Sequence, residues 1–303
     1  MSQTIHIAIG STTSKPADLV GNLAQIRGFA RRAGEDGANL LLTPELSVSG
    51  YGAYSDVVAT AEVAGEGSIY RELAQIARES GVVILAGFVE AANADHYLSH
   101  YAVYPDGEYE VQRKQWIMWN EQPFTSGAGG AGSTPCGDLE EGADEPGLPK
   151  EPRFNIMTVC GVCCAVVICA DTGITGLNEI LERQGVQVLL CPTAAGGQRD
   201  DRVTTAELHT IEGQEKYLAS LNTLFAPGRI PLECICYRRA HAAVNLCGYD
   251  GREYYHAGHG SITNAMGEVV AFFHGLPNLD RQRPMYAHAK IDLTEKLTSP
   301  SDI

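Results

Sequence analysis

The stretch Asn39-Leu40-Leu41-Leu42-Thr43-Pro44-Glu45-Leu46-Ser47-Val48-Ser49-Gly50-Tyr51 decides the fold. Its first four residues form a short apolar run that reads as a buried strand. Pro44 closes the run, and Glu45 is delivered at its carboxyl end. A carboxylate there loses solvation and must be paired or used. Upstream, Leu19, Leu23, Ile26 and Ala30 recur at helical spacing over 17–33. Downstream, Ile69, Leu73 and Ile76 do the same over 68–78. Ile5–Ile9 and Val82–Phe88 read as further strands. Strands alternating with amphipathic helices argue an α/β architecture in which helices cover sheet faces.

Farther along, Pro105-Asp106-Gly107 signals a tight turn between two strand-like runs, Tyr97–Tyr104 and Tyr109–Ile117, with Lys114 on the second arm. Between 126 and 153, Gly, Pro, Asp and Glu dominate and no period survives. The core of this stretch, 128–152, reads as an active-site loop, because loops of such length are usually functional. Order returns with strands over Phe154–Val159 and Val162–Cys169. A helix over Thr175–Gln184 is closed by Gly185. Val186–Cys191 reads as a strand and Thr204–Leu221 as a helix. Strand-like runs follow at Ala240–Leu246, Gly260–Asn264, Val269–Phe273 and Tyr286–Ile291. No Ser/Pro/Gly linker divides the chain, so one domain is expected over 1–303.

Composition narrows the function. With 303 residues and 44% hydrophobic content, a large core can form and disorder is not expected. A net charge of −15 argues against nucleic acid and anionic membrane as partners. The nine cysteines are scattered and odd in number, and several lie in apolar runs. That pattern fits reduced thiols in a cytoplasmic protein rather than a disulfide framework. The start of the chain lacks the basic flank and apolar centre of a signal peptide. The stretch Phe154–Ala170 is interrupted by Asn155, Thr158 and Gly161, so buried strands explain it better than a membrane span.

Three side chains at or beyond the ends of apolar runs form a chemical set. Cys169 follows Val166-Val167-Ile168, at the carboxyl end of a strand where α/β folds place their sites. A helix is expected to begin soon after it, and its first N–H groups would favour a thiolate or an oxyanion. Glu45, partly buried, would have the raised pKa that a general base requires. Lys114, if buried, would stabilise an oxyanion. Each has a plainer reading alone: a packed thiol, a satisfied strand-end carboxylate, a solvated hairpin lysine. Cys160-x-x-Cys163 with Cys164 resembles half a zinc site, but no second pair exists and the segment alternates as a strand, which favours packing. His256-x-x-His259 leaves metal binding as a minor alternative. No glycine-rich phosphate loop, Gly-x-Ser-x-Gly elbow or His-Glu-x-x-His motif is present.

Taken in order, these segments resemble the nitrilase superfamily of carbon–nitrogen hydrolases. Pro-Glu-Leu-x-x-x-Gly-Tyr around Glu45, Arg113-Lys114 after the Pro-Asp-Gly turn, and Ile168-Cys169-Ala170-Asp171 match its motifs. Leu189-Leu190-Cys191-Pro192-Thr193, Ala243-Val244-Asn245 and Gly260-Ser261-Ile262-Thr263-Asn264 look like its later strands. The resemblance implies a four-layer αββα sandwich and a Glu45-Lys114-Cys169 triad. It places a supporting glutamate at Glu121, ahead of Phe124-Thr125-Ser126-Gly127, and an oxyanion donor at the Ala170 N–H. It implies hydrolysis of a small amide or carbamoyl compound to acid plus ammonia, with neither metal nor organic cofactor. A homodimer or higher homo-oligomer is expected.

The chain also departs from the family pattern. Many small-amide members carry an arginine where this chain has Gly173, so a carboxylate clamp at that position is missing. Ala170-Asp171 replaces the Trp-Glu of true nitrilases, which makes a nitrile the less favoured substrate. A non-catalytic relative and an acyl transferase remain alternatives. The segment Gly196–Arg238, like the 128–152 loop, is long and is expected to cap the pocket.

Overall fold

All three leucines of Leu40–Leu42 are fully buried because their strand has an apolar layer on each face. Leu40 and Leu42 point into a core shared with a second sheet. Leu41 points the other way, into helices. The computed structural model describes residues 3–122, 124–127, 152–198, 206–216, 229–274 and 283–294. Apart from Pro152, the loop expected over 128–152 lies outside the described residues.

The first sheet is built from β1 (Thr4–Ser11), β2 (Leu40–Leu42), β3 (Val83–Ala92), β4 (Asp95–Val103) and β5 (Tyr109–Arg113), with β15 (Met285–Asp292) on its other edge. Its order is β15-β1-β2-β3-β4-β5. β1, β2 and β3 run parallel, and the flanking strands are antiparallel. The second sheet contains β6 (Ile156–Val159), β7 (Val162–Val166), β8 (Val188–Thr193), β10 (Ala240–Asn245), β13 (His259–Thr263) and β14 (Val269–His274). Its order is β14-β13-β10-β8-β7-β6, again with a parallel centre, β10-β8-β7. The strand period of two sends Ile5, Ile7 and Ile9 of one sheet toward Val188, Leu190, Ala242 and Val244 of the other.

Helices α1 (Leu19–Glu35) and α3 (Ser68–Ser80) cover the outer face of the first sheet through Ile26, Ala30, Leu73 and Ile76. A short α2 (Ser55–Val58) lies between them in sequence. Asp18 caps α1 by accepting the Gly21 N–H at 3.0 Å. The N–H groups of Ile69 and Tyr70 at the start of α3 are satisfied by the two oxygens of Glu62, each at 2.9 Å. On the outer face of the second sheet, α4 (Leu177–Arg183) packs Leu177 and Leu181 on Ala165, Val167 and Leu189. Next to it, α5 (Arg229–Tyr237) packs against β10 and β13. The layers are therefore helix, sheet, sheet, helix, the αββα sandwich that the resemblance implied. A small third sheet of β9 (Gly196–Gln198), β11 (Cys247–Tyr249) and β12 (Tyr254–Ala257) has the order β11-β12-β9.

Some readings need correction. The second hairpin arm ends at Arg113, so Lys114 lies just past the strand rather than on it. The helix read over Thr204–Leu221 lies partly outside the described residues. Within them, a 3-10 turn, Glu207–His209, is separated from helical residues 211–216 by Thr210. The Thr210 hydroxyl accepts the Gly213 N–H at 3.0 Å and so begins a new helix there. The helix α5 was not anticipated, because Pro231 falls inside its sequence; the proline sits in the first turn, where it is tolerated. Gly185 does end α4, with a φ of 72°. Among the described residues, no helix is long and apolar enough to cross a membrane.

Candidate active site

Glu45, Lys114, Glu121 and Cys169 come from separate stretches of chain and meet at one end of the sandwich. Glu45 sits on the turn that leaves β2. This turn is pinned by Thr43, whose N–H and hydroxyl both reach the Leu85 carbonyl, at 3.0 and 2.8 Å. The Thr43 and Ser47 hydroxyls lie 2.8 Å apart, and Ser47 Oγ accepts the Gly87 N–H at 3.0 Å. Leu46 takes a φ of 49°, a conformation that non-glycine residues hold only when their surroundings impose it.

Lys114 is held by its backbone. Its N–H donates to Leu98 O at 2.8 Å, and its carbonyl accepts from Gly127 at the same distance. The side chain is wholly buried. Its Nζ bridges two carboxylates, donating to Glu45 Oε1 at 2.7 Å and to Glu121 Oε1 at 2.5 Å. Glu121 lies on the 3-10 turn Trp119–Glu121. Its Oε1 also accepts from Tyr51 Oη at 3.1 Å, and its Oε2 takes the Met118 N–H at 2.8 Å. Both oxygens of Glu121 are thus occupied. Glu45 differs: its Oε2 accepts no hydrogen bond. The Cys169 thiol is near enough to this carboxylate to lower its pKa.

Cys169 begins a 3-10 turn, Cys169–Gly173, directly after the apolar run, and takes a φ of 50°. Its carbonyl accepts the Thr172 hydroxyl at 2.9 Å. The buried Asp171 two residues on ties this turn to the lysine arm. It accepts the Trp116 N–H at 2.7 Å and the Gln115 N–H at 3.0 Å on the same oxygen. The sequence reading quoted Asp171 in the motif but gave it no function. Tyr51 was passed over in the same way. The Ala170 N–H, expected as an oxyanion donor, lies in the same turn, and Ala170 lines the cavity.

Burial dominates the electrostatics. It raises the Glu45 pKa above the ordinary carboxylate value, Lys114 opposes the rise, and Glu121 adds to it. Burial alone would lower the Lys114 pKa, but the carboxylates of Glu121 and Glu45 outweigh it and hold the ammonium well above its usual value. Burial and the negative charge of Glu45 push the Cys169 thiol well up, against the pull of Lys114 and the Ala194 backbone. Burial also brings Asp171 to about 7. The resting thiol is therefore protonated, and nucleophilic attack requires a base at the moment of reaction.

A cavity of about 490 Å³ opens onto Cys169 and is lined also by Tyr51, Glu121, Ala170, Arg229 and His241. Gly196, Arg229, Ile230 and Glu233 on its wall come from the segment expected to cap the pocket. A larger groove of about 1120 Å³ runs between α1 and α3 on the opposite side, without a nucleophile, so the chemistry belongs to the smaller space. Among the described residues, no group of three or more His, Cys, Asp and Glu is arranged to hold a metal ion. Of the Cys160–Cys164 cluster, Cys160 is exposed and Cys164 is buried. The buried His256 packs edge-on against Tyr51, with ring centroids 5.6 Å apart.

Comparison with known proteins identifies the family and the fold. The family described as carbon-nitrogen hydrolase matches residues 6–274. A curated protein, "Hydrolase in pqqF 5'region" of Pseudomonas protegens, is 24% identical over 63% of this chain and 60% of its own length. The chain thus spans under two thirds of that relative. N-carbamoylputrescine amidase of Solanum tuberosum is 26% identical over 84% of this chain and 77% of its own. Among solved structures, an amidase from Nesterenkonia sp. AN1 superposes with a TM-score of 0.69 at 20% identity, covering 95% of this chain and 90% of its own. That structure carries covalent addition of the acetamide moiety of fluoroacetamide at its active site cysteine.

Proposed function

This chain belongs to the carbon-nitrogen hydrolase family, and on that premise we propose that it hydrolyses a linear amide or carbamoyl compound to acid plus ammonia through a Cys169 thioester. The observation that carries the reading is the shared ammonium. Lys114 Nζ engages one oxygen of Glu45 and leaves the other without a hydrogen bond, beside a thiol that needs a base.

In the first half-reaction, Cys169 Sγ attacks the amide carbonyl carbon while Glu45 takes the thiol proton. The carbonyl oxygen becomes an oxyanion, held by Lys114 Nζ and the Ala170 N–H. Collapse breaks the carbon–nitrogen bond, and Glu45 returns its proton to the departing ammonia. In the second half, Glu45 deprotonates a water that attacks the thioester. The acid leaves and the thiol is restored. Glu121 keeps Lys114 in place and, with Tyr51, shapes the wall on which the substrate sits. The curated N-carbamoylputrescine amidase supports the inclusion of carbamoyl compounds. The covalent addition of an acetamide moiety at the Nesterenkonia active-site cysteine supports a nucleophilic thiol at Cys169. In keeping with its family, we read the chain as a cytoplasmic homo-oligomer, which light scattering coupled to size-exclusion chromatography tests.

The reading is tested by ammonia release from a panel of amides, carbamoyl compounds and nitriles, with wild type beside Cys169→Ala. We expect release from amides or carbamoyl compounds, abolished in the variant. Release chiefly from nitriles would move the chain to nitrile chemistry, and wild-type activity in Cys169→Ala would overturn the thioester.

A further inference from the structure

A second thiol stands in the cavity wall, and amide hydrolysis does not use it. Side chains of β8 alternate between the two faces of the sheet. Val188 and Leu190 point into the core between the sheets, whereas Leu189, Cys191 and Thr193 line the cavity together with Cys169. Cys191 is 4% exposed, yet it does not sit among packed apolar side chains. Cys164 on the neighbouring β7 does: it is fully buried in the inter-sheet core. Cys191 joins none of the apolar clusters among the described residues. Its surroundings are polar. The Cys169 N–H donates to its sulfur, and the carboxylates of Glu45 and Asp171 and the Arg229 guanidinium act on it.

That N–H contact sets the reach between the two thiols, both of which are free. An N–H of one cysteine donating to the sulfur of another holds their Cα atoms at about the 4.4–6.8 Å that a disulfide spans. The two are not equivalent. Burial, with Glu45 and Asp171, pushes the Cys191 thiol up to about 12, so it stays protonated and does not react with an oxidant by itself. Cys169 has the Glu45 carboxylate beside it, with Oε2 accepting no hydrogen bond, and can be ionised when a reactant arrives.

We propose that Cys191 is a resolving thiol: a hydroperoxide that enters the cavity oxidises Cys169, and Cys191 closes a reversible disulfide onto it. Glu45 takes the Cys169 proton, and the thiolate attacks a peroxide oxygen. The O–O bond breaks, the leaving oxygen takes that proton from Glu45, and a sulfenic acid remains on Cys169. The Cys191 sulfur then attacks the sulfenic sulfur. The S–O bond breaks, and the hydroxide departs as water with the Cys191 proton. The two sulfurs lose two electrons and the O–O bond gains them. The small thiolate fraction of Cys191 is offset by its fixed position beside the target. A dithiol reductant reopens the disulfide by exchange. Without Cys191, the sulfenic acid advances to sulfinic acid, which such a reductant does not restore. The proposal rests on the amidase reading only for the accompanying loss of turnover.

The experiment treats the full chain with graded hydrogen peroxide, blocks the remaining thiols with N-ethylmaleimide and maps the peptides by mass spectrometry. Wild type should yield a Cys169–Cys191 linked peptide, and dithiothreitol should restore the lost ammonia release. In Cys191→Ser and in Cys191→Ala the linked peptide should be absent, Cys169 should accumulate as sulfinic acid, and recovery by dithiothreitol should be lost. Recovery is referred to the same protein before oxidation, so a variant of low starting activity is still readable. Cys160→Ser and Cys236→Ser remove exposed thiols and should change neither readout. No linked peptide in wild type, a link from Cys169 to any other cysteine, or full recovery in the Cys191 variants would overturn the resolving thiol and leave the amidase reading intact. If no amide is hydrolysed, the linked peptide in wild type and sulfinic Cys169 in the variants still support it, and the amidase reading alone fails.

Discussion

The two sheets are built alike and finished differently. Each has a parallel centre, β1-β2-β3 in one and β10-β8-β7 in the other, flanked by antiparallel strands. Each delivers a reactive residue just past a central apolar run and turns there through the left-handed region, at Leu46 in the first and at Cys169 itself in the second. The outer faces diverge. The first is closed by α1 and α3 with apolar residues throughout. The second carries the cavity, with His241 and Ala243 on its floor. One half holds the base rigidly; the other presents the thiol and leaves room for a substrate. Substitutions in the first half should therefore act on rate through the placement of Glu45, and those on the cavity floor should act on substrate choice.

The harshest way to break this comparison is to remove the group that joins the halves. Lys114→Met leaves Glu45 and Glu121 buried with no shared cation. Turnover should fall about 10³-fold or more, as expected when a preorganised oxyanion donor and its supporting ion pairs are lost together. The pH profile gives a second readout. Glu45 must be ionised to act, and burial raises its pKa, so wild-type activity should fall on acidification sooner than an ordinary glutamate would predict. Lys114 lowers that pKa, so the acid limb of any residual activity should move to higher pH in the variant. A limb that stays put would show that Lys114 does not tune the base.

A glycine in each half sharpens the contrast. A Cβ on Gly87 in β3 would lie 2.2 Å from Leu46 N and 3.0 Å from the Glu45 carbonyl carbon, both backbone atoms. Gly87→Ala must therefore displace the turn that carries Glu45. We expect a loss of about 10²-fold in kcat from misplacement and about 1–3 kcal/mol of stability from overpacking. A Cβ on Gly173, in the Cys169 turn, would meet only the edge of the Trp116 ring, at 3.3 Å. Gly173→Ala should stay within about 1 kcal/mol of wild type, because one side chain can shift a few tenths of an ångström. Steady-state kinetics and urea melts check both. Equal effects would remove the distinction between a rigid half and a permissive one.

Asp171, the strap between the halves, gives a pH signature of unusual sign. Burial raises its folded pKa from 3.8 to about 7. Between those values the folded state binds the proton more tightly than the unfolded chain. The stability this group contributes is thus fully present below its unfolded pKa and is lost as pH rises through the folded one. Asp171→Asn removes that dependence. The stability difference, wild type minus variant, should fall by about 1.4 kcal/mol per pH unit across the window, measured by urea denaturation. A difference that grows with pH would mean that the Gln115 and Trp116 N–H groups outweigh burial.

Glu45, Lys114 and Cys169 were legible as a set because each stands at or just beyond the end of an apolar run and the three motifs occur in the family's order; each alone had a plainer reading. The α/β layering followed from runs such as Leu40–Leu42, whose burial on both sides shows as unbroken hydrophobicity, and the four-layer sandwich came with the family resemblance. What escaped depends on distant partners. Asp171 straps N–H groups that lie 55 and 56 residues upstream, and no local pattern encodes that pairing. The small sheet is made of strands too short for alternation to register; β9 and β11 each have 3 residues.

The smallest effect is expected at Arg113, and it separates the two residues of the Arg-Lys pair. Arg113 turns toward the rim, where its Nε and Nη2 reach Glu90 at 2.8 and 2.5 Å and its guanidinium lies 3.9 Å from the Tyr97 ring centre. Lys114 turns inward and is fixed by its own backbone bonds to Leu98 and Gly127. Arg113→Lys keeps the charge but loses the fork and the flat stacking surface. It should cost about 1–2 kcal/mol in a denaturant melt. Because the Lys114 backbone is held independently, kcat should change by less than about 3-fold, a shift under 1 kcal/mol in the barrier. A larger fall would mean that the rim fork, and not the strand ladder, sets where the ammonium sits. The position of Lys114 would then depend on a partly exposed contact rather than on the rigid half of the molecule.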